Sequence, residues 1–282
     1  MTGSPTARRR RLAIELKRLR EESRLTCSQV GAELDWSSSK VSRMETGRVR
    51  VQPSDVDALC RFYETSDDLR ALLKSLAKES KAKGWWHAHG DAIPTWFSVY
   101  VGLEQAAANL RSYQAEYIPG LLQTDEYAAE QCRAWVDHTP DDVQRMVTVR
   151  MRRQELLTEE AAPDLWAVVH EGALRHVVGN RAVMTRQLER MLELGKLKNV
   201  TVQVLPFDAG AYPTTGSYTL LGFPEQEDLD MVYREGLTDS VYLEDSKDVA
   251  LYTKAFDHLR ALASSPQRSA LLMTRLLEEY SL

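Results

Sequence analysis

The sequence predicts two domains of different class: a mainly α-helical bundle at the N-terminus, followed by a C-terminal domain of α/β or α+β architecture. Three observations lead to this prediction. Short helices with cap residues fill residues 1–83, every segment with strand character comes after residue 160, and the charge changes sign between the two parts. A chain of 282 residues is also long enough for two domains of ordinary size.

The charge is unevenly divided along the chain. Residues 1–83 contain 18 Lys and Arg against 12 Asp and Glu, a net charge of +6, whereas residues 84–282 contain 18 against 29, a net charge of −11. A basic part on an acidic body is typical of a protein in which one domain contacts a polyanion such as DNA. A solvated basic helix without a partner is the alternative, and charge alone does not decide between them.

Composition excludes several classes of protein. No run of 18 or more apolar residues occurs, so a membrane span is not expected, and MTGSPTARRRR at the N-terminus lacks the apolar stretch of a secretory signal. Cys27, Cys60 and Cys132 are widely spaced and odd in number, so neither a metal motif nor a disulfide framework is expected. We therefore expect a cytoplasmic protein without a cofactor.

Cap residues divide the N-terminal region into short helices. An apolar stripe predicts a first helix over residues 8–23. Thr26 to Gln29 fit a capping box that begins a second helix, and Ser37 is expected to cap a third helix that ends before Gly47. Two short helices joined by a tight turn form a helix-turn-helix. Two further helices are predicted, one from Pro53 and one over residues 66–83.

The remaining residues predict a helical series followed by strands. The predicted helices are 99–112, 143–160, 182–197, 252–263 and 269–280. The predicted strands are 165–170, 200–205, 217–223, 231–234 and 240–243. The segment from Gly210 to Gly216 is expected to be a hairpin loop between two of these strands.

Residues 25–64, LTCSQVGAELDWSSSKVSRMETGRVRVQPSDVDALCRFYE, resemble the helix-turn-helix of the Xre family, which is lambda-repressor-like in fold. The third helix ends in the family pattern Ser-Arg-x-Glu-x-Gly at residues 42–47. The family has Gln at the start of the second helix, where it binds a phosphate and supports the recognition helix, and this chain has Cys27 instead. Thr26, Ser28 or Gln29 is expected to take over that phosphate contact.

The DNA-contacting residues are predicted from the way such motifs dock, with the N-terminal part of the recognition helix in the major groove. Lys40 and Arg43 can donate to guanine O6 and N7, and Arg48 and Arg50 follow the helix where phosphates pass. The complete predicted set is Thr26, Ser28, Gln29, Ser37, Ser38, Ser39, Lys40, Ser42, Arg43, Arg48 and Arg50.

Two other charged features lie near the motif, the arginine run at residues 8–11 and Glu45. Residues Arg8 to Arg11 could form a flexible arm along the DNA backbone or minor groove, or simply a solvated part of the first helix. Glu45 is expected to have a structural role, through pairing with a nearby arginine or capping, and not to contact bases.

The C-terminal part resembles the domain of unknown function 5753 over most of residues 85–275. The resemblance rests on YIPGLLQTDEYA (117–128), RMRRQELL (150–157), VVHEGALRHVVG (168–179) and NVTVQVLPFDAGAYPTTGSYTLLGF (199–223). That family comprises actinobacterial Xre-type regulators similar to the developmental regulator WhiJ and to Scr1 antitoxin-like proteins. It implies a regulator, and it implies a small partner protein of the domain of unknown function 397 type.

Catalysis and metal binding have weak support in the sequence. His170, His176 and His258 do not have the spacing that places two ligands on one helical face, and the pair of His87 and His89 is short. No phosphate-binding loop, dinucleotide fingerprint or nucleophile elbow occurs. We therefore assign no catalytic and no metal-binding residues.

A partner or effector site is expected in the C-terminal part. The turn Pro119-Gly120-Leu121 is either a structural turn that begins a helix or the lip of a groove. Glu171 and Arg175 lie one helical turn apart and can form an ion pair. If a pocket exists, its candidate residues are Trp85, Trp86, Pro119, Gly120, Leu121, Glu171 and Arg175.

Together these observations predict a sequence-specific, nucleoid-associated transcriptional regulator that binds a double-stranded DNA operator. We expect a repressor and a homodimer, with residues 1–83 as the DNA-binding domain. Residues 84–282 are then the sensing, partner-binding and dimerising domain, controlled by a partner protein or a small-molecule effector. Two alternatives stay open: an antitoxin-like protein whose DNA binding serves only autoregulation, and a DNA-tethered enzyme.

Overall fold

The computed structural model describes residues 4–81, 84–89, 93–135, 137–213, 216–224 and 230–281. The chain forms two compact units, one up to Ala88 and one from His89 onwards, called below the N-terminal unit and the C-terminal unit. The sequence placed the boundary after residue 83. Within the described ranges, no helix is long and apolar enough to cross a membrane.

The N-terminal unit is helical, as predicted. Its α-helices are α1 (Pro5–Glu22), α2 (Cys27–Glu33), α3 (Ser38–Glu45), α4 (Pro53–Phe62) and α5 (Asp67–Glu79). The predicted capping box is present, since the Thr26 hydroxyl accepts from the Gln29 N–H and the Gln29 side chain accepts from the Thr26 N–H. Ser37 caps α3 as predicted, because its hydroxyl accepts from the Lys40 N–H. Local hydrogen bonds therefore define where both helices of the motif begin.

The turn between α2 and α3 is tight because of two residues. Asp35 adopts a left-handed conformation with φ of 53°, which ends α2 and reverses the chain. A Cβ atom on Gly31 would lie 2.6 Å from the Trp36 carbonyl oxygen, so only glycine lets the two helices approach this closely. The Trp36 N–H donates to the Gly31 carbonyl at 2.8 Å and closes the turn.

One continuous apolar core holds the N-terminal unit together. The stripe of α1 packs against the inner faces of the motif helices and of α4 and α5, through residues that include Leu12, Leu16, Val30, Val41, Met44, Val56, Leu59 and Leu73. On α5, Leu73 is fully buried in this core, whereas 44% of the surface of its neighbour Leu72 is exposed. Residues 82 and 83, the predicted end of the last helix, lie outside the described residues, and α5 ends at Glu79.

Of the two interpretations of Arg8 to Arg11, the structure shows part of the first helix and not a flexible arm. Arg8 to Arg11 lie inside α1, whose N-terminus is capped by the Ser4 hydroxyl. The Arg8 Nε atom pairs with the Glu79 carboxylate at 3.0 Å, which connects α1 to the end of α5. The arginine run is therefore part of the folded bundle, because helix propagation and this ion pair both order it.

The C-terminal unit contains helices around one sheet. Its α-helices are α6 (Thr95–Glu104), α7 (Asp125–Arg133), α8 (Pro140–Gln154), α9 (Glu171–Arg175), α10 (Arg181–Leu194), α11 (Ser246–Leu262) and α12 (Pro266–Ser281). Its strands are β1 (Asn109–Gln114), β2 (Asp164–His170), β3 (Val200–Leu205), β4 (Tyr218–Gly222), β5 (Met231–Glu235) and β6 (Ser240–Leu243). All five strands that the sequence predicted are present within a residue or two of their predicted bounds.

The sheet is mixed, so the C-terminal unit is α+β. Among the described residues its strand order is β3-β2-β1-β4-β5-β6. The pairs β1–β2 and β2–β3 are parallel, whereas β1–β4, β4–β5 and β5–β6 are antiparallel. One face of the sheet packs on α6, α10 and α12, and the opposite face packs on α11. The fold class is therefore a helical bundle followed by an α+β domain.

Two predictions about this unit are wrong. The predicted helix over 99–112 is α6 followed by a turn and then β1, a central strand with β2 and β4 on its two sides. Pairing on both sides outweighs the helical propensity of this segment. The segment from Gly210 to Gly216 is not a hairpin, because β3 and β4 are not neighbours. It belongs to the connection from the edge strand β3 to β4, which lies on the far side of β2 and β1 in the sheet. Residues 214 and 215 of this connection lie outside the described part.

Candidate nucleic-acid interface and an interior cavity

The outer face of α3 presents polar side chains to solvent. Ser38, Ser39, Ser42 and Arg43 are exposed, whereas Val41 and Met44 are 1% exposed and belong to the core. The N-terminal end of the helix is kept in place by Ser37, whose hydroxyl also lies 3.1 Å from that of Ser39. A helix with one buried apolar stripe and one serine- and arginine-bearing face can enter a major groove without unfolding.

Arg43, Arg48 and Arg50 are the cations available to DNA at this face. All three are exposed, and among the described residues no carboxylate pairs with any of them. The Arg43 Nε atom donates to the Ser39 carbonyl at 3.1 Å, which leaves its two terminal nitrogens for an outside acceptor. Unpaired guanidinium groups of this kind suit guanine edges and phosphates.

Lys40, a predicted base reader, is engaged inside the protein. Its Nζ atom lies 2.9 Å from an Asp55 carboxylate oxygen on α4 and 3.6 Å from the centre of the Trp36 ring. The side chain is half-buried, so a base contact requires the ammonium to leave Asp55. Sequence spacing could not reveal this pair, because Lys40 and Asp55 meet only when α3 packs on α4.

At the start of α2, the capping box already uses two of the predicted phosphate contacts. The Gln29 Oε1 atom accepts from both the N–H and the hydroxyl of Thr26, at 2.9 Å each. Ser28 is exposed and forms no hydrogen bond among the described residues, so its hydroxyl is available to a phosphate. The Cys27 thiol lies 3.8 Å from the Glu45 carboxylate and is turned inward, where burial raises its pKa.

Glu45 has the predicted structural role. The Arg20 Nε atom donates to both of its carboxylate oxygens, at 2.9 and 3.0 Å, and the Arg20 Nη1 atom donates to the Leu25 carbonyl at 2.8 Å. The hydrogen bond to Glu45 also raises the pKa of Arg20. This pair connects the end of α1 to the end of α3 and so holds the recognition helix at a fixed angle.

The predicted effector residues lie in three different places. Trp85 and Trp86 form a short 3₁₀ helix at the end of the N-terminal unit, with Trp86 buried and its ring perpendicular to that of Trp85. Glu171 and Arg175 form the predicted ion pair on α9, at 2.7 Å. The second Glu171 oxygen accepts from the Phe207 N–H at 3.2 Å, and Arg175 also pairs with Glu279 at 3.3 Å. Neither Glu171 nor Arg175 belongs to the lining of the cavity that contains the third group.

Pro119, Gly120 and Leu121 line an interior cavity of the C-terminal unit. Its volume is about 50 Å³, and its walls are completed by Tyr100, Glu104, Leu110, Ser112, Gln114, Arg153, Leu165 and Thr219. The Arg153 side chain donates from Nε and Nη2 to the two Glu104 oxygens, at 2.7 Å each. Of the candidate effector residues, these three line the cavity, and the sequence did not predict their charged neighbours Glu104 and Arg153.

A signal for the missed pair exists in the sequence. Glu104 is the only charged residue of α6, whose sequence is TWFSVYVGLE. An isolated carboxylate in an otherwise apolar helix rarely becomes buried without a cationic partner. The sequence does not show which cation is the partner, because Arg153 follows 49 residues later on α8 and is one of three arginines in Arg150–Arg153.

Two comparisons with known families identify the chain. The family described as domain of unknown function (DUF5753) matches residues 97–275, which is more than half of the sequence. The chain belongs to the DUF5753 family. A helix-turn-helix domain matches residues 11–73. No curated protein and no solved structure matches the chain.

The two matches cover different parts of this DUF5753 protein, one with the candidate DNA-binding face and one with the cavity. The helix-turn-helix match contains α2 and α3 and every predicted DNA-binding residue. The DUF5753 match contains the complete sheet and the complete cavity lining. The presence of a helix-turn-helix makes the chain a DNA-binding regulator in broad terms.

Proposed function

We propose that this DUF5753 protein is a sequence-specific transcriptional repressor of the Xre type, WhiJ-like in organisation. It binds its operator as a homodimer, with α3 of each copy in a major groove. The observation that carries the proposal is the outer face of α3, where three exposed serines share the face with Arg43, whose two terminal nitrogens form no hydrogen bond with any described residue. A protein of this function acts in the cytoplasm, on the nucleoid.

Each exposed residue has a role in this proposal. Arg43 donates to guanine O6 and N7, and the hydroxyls of Ser38, Ser39 and Ser42 donate to or accept from neighbouring base edges. Arg48 and Arg50 neutralise phosphates beside the groove, and the Ser28 hydroxyl takes the phosphate contact at the start of α2. The Arg20–Glu45 pair contacts no DNA, but it fixes the angle at which α3 enters.

The C-terminal unit supplies dimerisation and control in this proposal. Its net charge of −11 makes phosphate contacts unfavourable, so its contribution to operator binding is to hold two N-terminal units at the spacing of two half-sites. A small partner protein of the domain of unknown function 397 type, or a small molecule, changes that spacing. The proposal assigns no catalysis to the chain. The antitoxin-like alternative stays a prediction.

The proposal is tested by selecting an operator from random duplexes with the full chain. Arg43→Ala should weaken binding to the selected site by about 1–3 kcal/mol and relax the preference at one base pair. Arg48→Ala should weaken binding to all duplexes alike and reduce the slope of log affinity against log salt by roughly one. Arg61→Ala is the control, because it removes an equal charge from an exposed position on α4.

Three results would contradict the proposal. The first is the absence of any enriched sequence in the selection. The second is equal affinity of the Arg43→Ala chain and the unmodified chain for the enriched site. The third concerns the sign of regulation: a reporter gene placed behind the enriched site should be expressed less when the chain is present, and increased expression would exclude repression.

A further inference from the structure

The cavity of the C-terminal unit has one charged donor without a partner. Nε and Nη2 of Arg153 are taken by Glu104, but Arg153 Nη1 has no hydrogen-bond partner among the described residues. A Cβ atom on Gly120 would lie 3.6 Å from this Nη1, so the donor lies beside the glycine that lines the cavity. The Arg153 side chain is only 7% exposed. Nη1 is not a fully enclosed atom, so it reaches the open space of the cavity, where a ligand can accept its hydrogen bond in place of water.

Of the two buried arginines on this part of α8, only Arg153 has a direct carboxylate partner. Arg150, one turn earlier on α8, donates to the Oε1 atoms of Gln123 and Gln131, at 2.8 and 2.7 Å, and forms no ion pair among the described residues. Burial lowers the pKa of Arg150, and the positive charge of Arg153 lowers it further. Glu104 compensates only one of the two arginines. The exposed Glu235 accepts from the Tyr233 hydroxyl at 3.2 Å and forms no direct pair with either arginine among the described residues, although its charge acts on both from a distance and raises their pKa values.

The rest of the cavity wall contains both polar and apolar side chains. The hydroxyls of Ser112 and Thr219 lie 3.2 Å apart on adjacent strands, and Gln114 Nε2 donates to Ser112 at 3.2 Å. Leu110, Leu121 and Leu165 supply apolar surface to the same cavity. Of all lining residues, Gln114 and Gly120 are half-buried and the others are buried, so the opening lies beside these two.

We propose that this cavity binds a small monocarboxylate with a short aliphatic chain. The carboxylate accepts from Arg153 Nη1 and from the hydroxyl pair of Ser112 and Thr219, and the carbon chain packs against the three leucines. A monoanion adds a carboxylate close to two buried arginines of which only one is directly paired, and a volume of about 50 Å³ accommodates only a short chain. Binding does not depend on the proposed DNA-binding function. Only its use as an effector site rests on that function.

Propionate is the probe, and propionamide is its neutral counterpart of nearly the same shape. Calorimetric titration of the full chain without DNA should show saturable binding of propionate and at least about tenfold weaker binding of propionamide, because an uncharged amide does not balance the arginines. No saturable propionate binding, or equal binding of both compounds, would overturn the proposal. Because no DNA is present, the result is separate from that of the operator selection.

A variant that fills the cavity locates the binding. Gly120→Ala places a methyl group in ordinary contact with Arg153 Nη1, and φ of Gly120 is not positive, so the fold should tolerate it. It should weaken propionate binding by about tenfold or more, since overfilling a site of this size costs at least that. Gly216→Ala is the matched control, because a Cβ there meets nothing within 4 Å. Equal affinity of the two variants would show that propionate binds elsewhere.

Discussion

Each unit of this protein contains a buried arginine–glutamate pair with two short hydrogen bonds, and the two pairs differ in what else the arginine does. In the N-terminal unit, Arg20 divides its donors between Glu45 and the Leu25 carbonyl. In the C-terminal unit, Arg153 gives two nitrogens to Glu104 and keeps a third beside a cavity. The first pair connects α1 to the end of α3. The second pair connects α6 to α8 and leaves one guanidinium nitrogen of Arg153 able to donate to a ligand.

The difference shows that burial of an ion pair does not by itself indicate its role. Glu45 and Arg20 have side-chain exposures of 6% and 13%, and Glu104 and Arg153 have 2% and 7%. Both pairs join helices far apart in sequence and both orient a helix. The two roles differ in how many of the arginine's donors the chain itself uses. An arginine that keeps a donor free of protein partners can also bind a ligand.

The largest effect is expected from breaking the more buried pair. Glu104→Ala leaves the Arg153 charge uncompensated in the interior and should lower the free energy of unfolding by about 3–5 kcal/mol. Urea unfolding followed by circular dichroism measures this change. Arg175→Ala is the control, since it breaks a half-exposed pair in the same unit. A loss no larger than that of Arg175→Ala would mean that solvent reaches Arg153 more easily than its burial indicates.

Breaking the connecting pair should have a smaller effect on stability and a specific effect on DNA binding. Glu45→Ala leaves Arg20 with the Leu25 carbonyl and the neighbouring Glu21, 3.6 Å away, so the loss should be about 1–3 kcal/mol. Operator affinity should also fall under conditions where the variant is fully folded, because α3 is no longer held against α1. Unchanged affinity of the folded variant would contradict a positioning role for Glu45.

Breaking the half-exposed pair of Lys40 and Asp55 should lower the free energy of unfolding less than Glu45→Ala does. Lys40→Ala should cost at most about 1 kcal/mol of stability, because solvent screens this pair. If Lys40 stays on Asp55 in the complex, Lys40→Ala should weaken operator binding less than Arg43→Ala does. Asp55→Asn should then strengthen binding by releasing the lysine. Fluorescence anisotropy on the selected operator measures all three variants, and equal losses for Lys40→Ala and Arg43→Ala would mean that Lys40 exchanges Asp55 for a base.

The smallest effect concerns two surface carboxylates, one in each unit. The pKa of Asp57 is lowered to about 2, chiefly by the hydrogen bonds from Lys74 and Arg70. The pKa of Asp142 is also lowered to about 2, chiefly by the hydroxyl and N–H of Thr139. A folded pKa below the unfolded value stabilises the fold above pH ~4, and that contribution is lost as the pH falls toward 2.

Salt should distinguish these two carboxylates. High salt screens the ammonium and guanidinium of Lys74 and Arg70 but leaves the capping hydrogen bonds of Thr139 intact, so the pKa of Asp57 should rise more than that of Asp142. Carboxyl-carbon NMR titrations at low and high salt measure both values in one sample. Equal rises would show that charge, and not capping, governs Asp142 as well.

The sequence by itself determined the features that depend on a few neighbouring residues. The capping box at Thr26, the cap at Ser37 and the left-handed Gly47 follow from hydrogen bonds and backbone preferences within about one helical turn. The strands Val200–Leu205 and Ser240–Leu243 likewise follow from their residue types. The helix-turn-helix, its exposed serines and the turn at Pro119–Leu121 could therefore be identified without a structure.

Only the tertiary structure decided which distant residues meet. Asn109–Gln114 is a strand because β2 and β4 pair with it on both sides, although its local sequence predicts a helix. Lys40 meets Asp55, and Glu104 meets Arg153, across 15 and 49 residues of chain. Such contacts depend on strand order and helix packing, and a charged side chain can find any of several partners until the packing selects one. The candidate ligand cavity, unlike the candidate DNA-binding face, therefore became visible only in the folded chain.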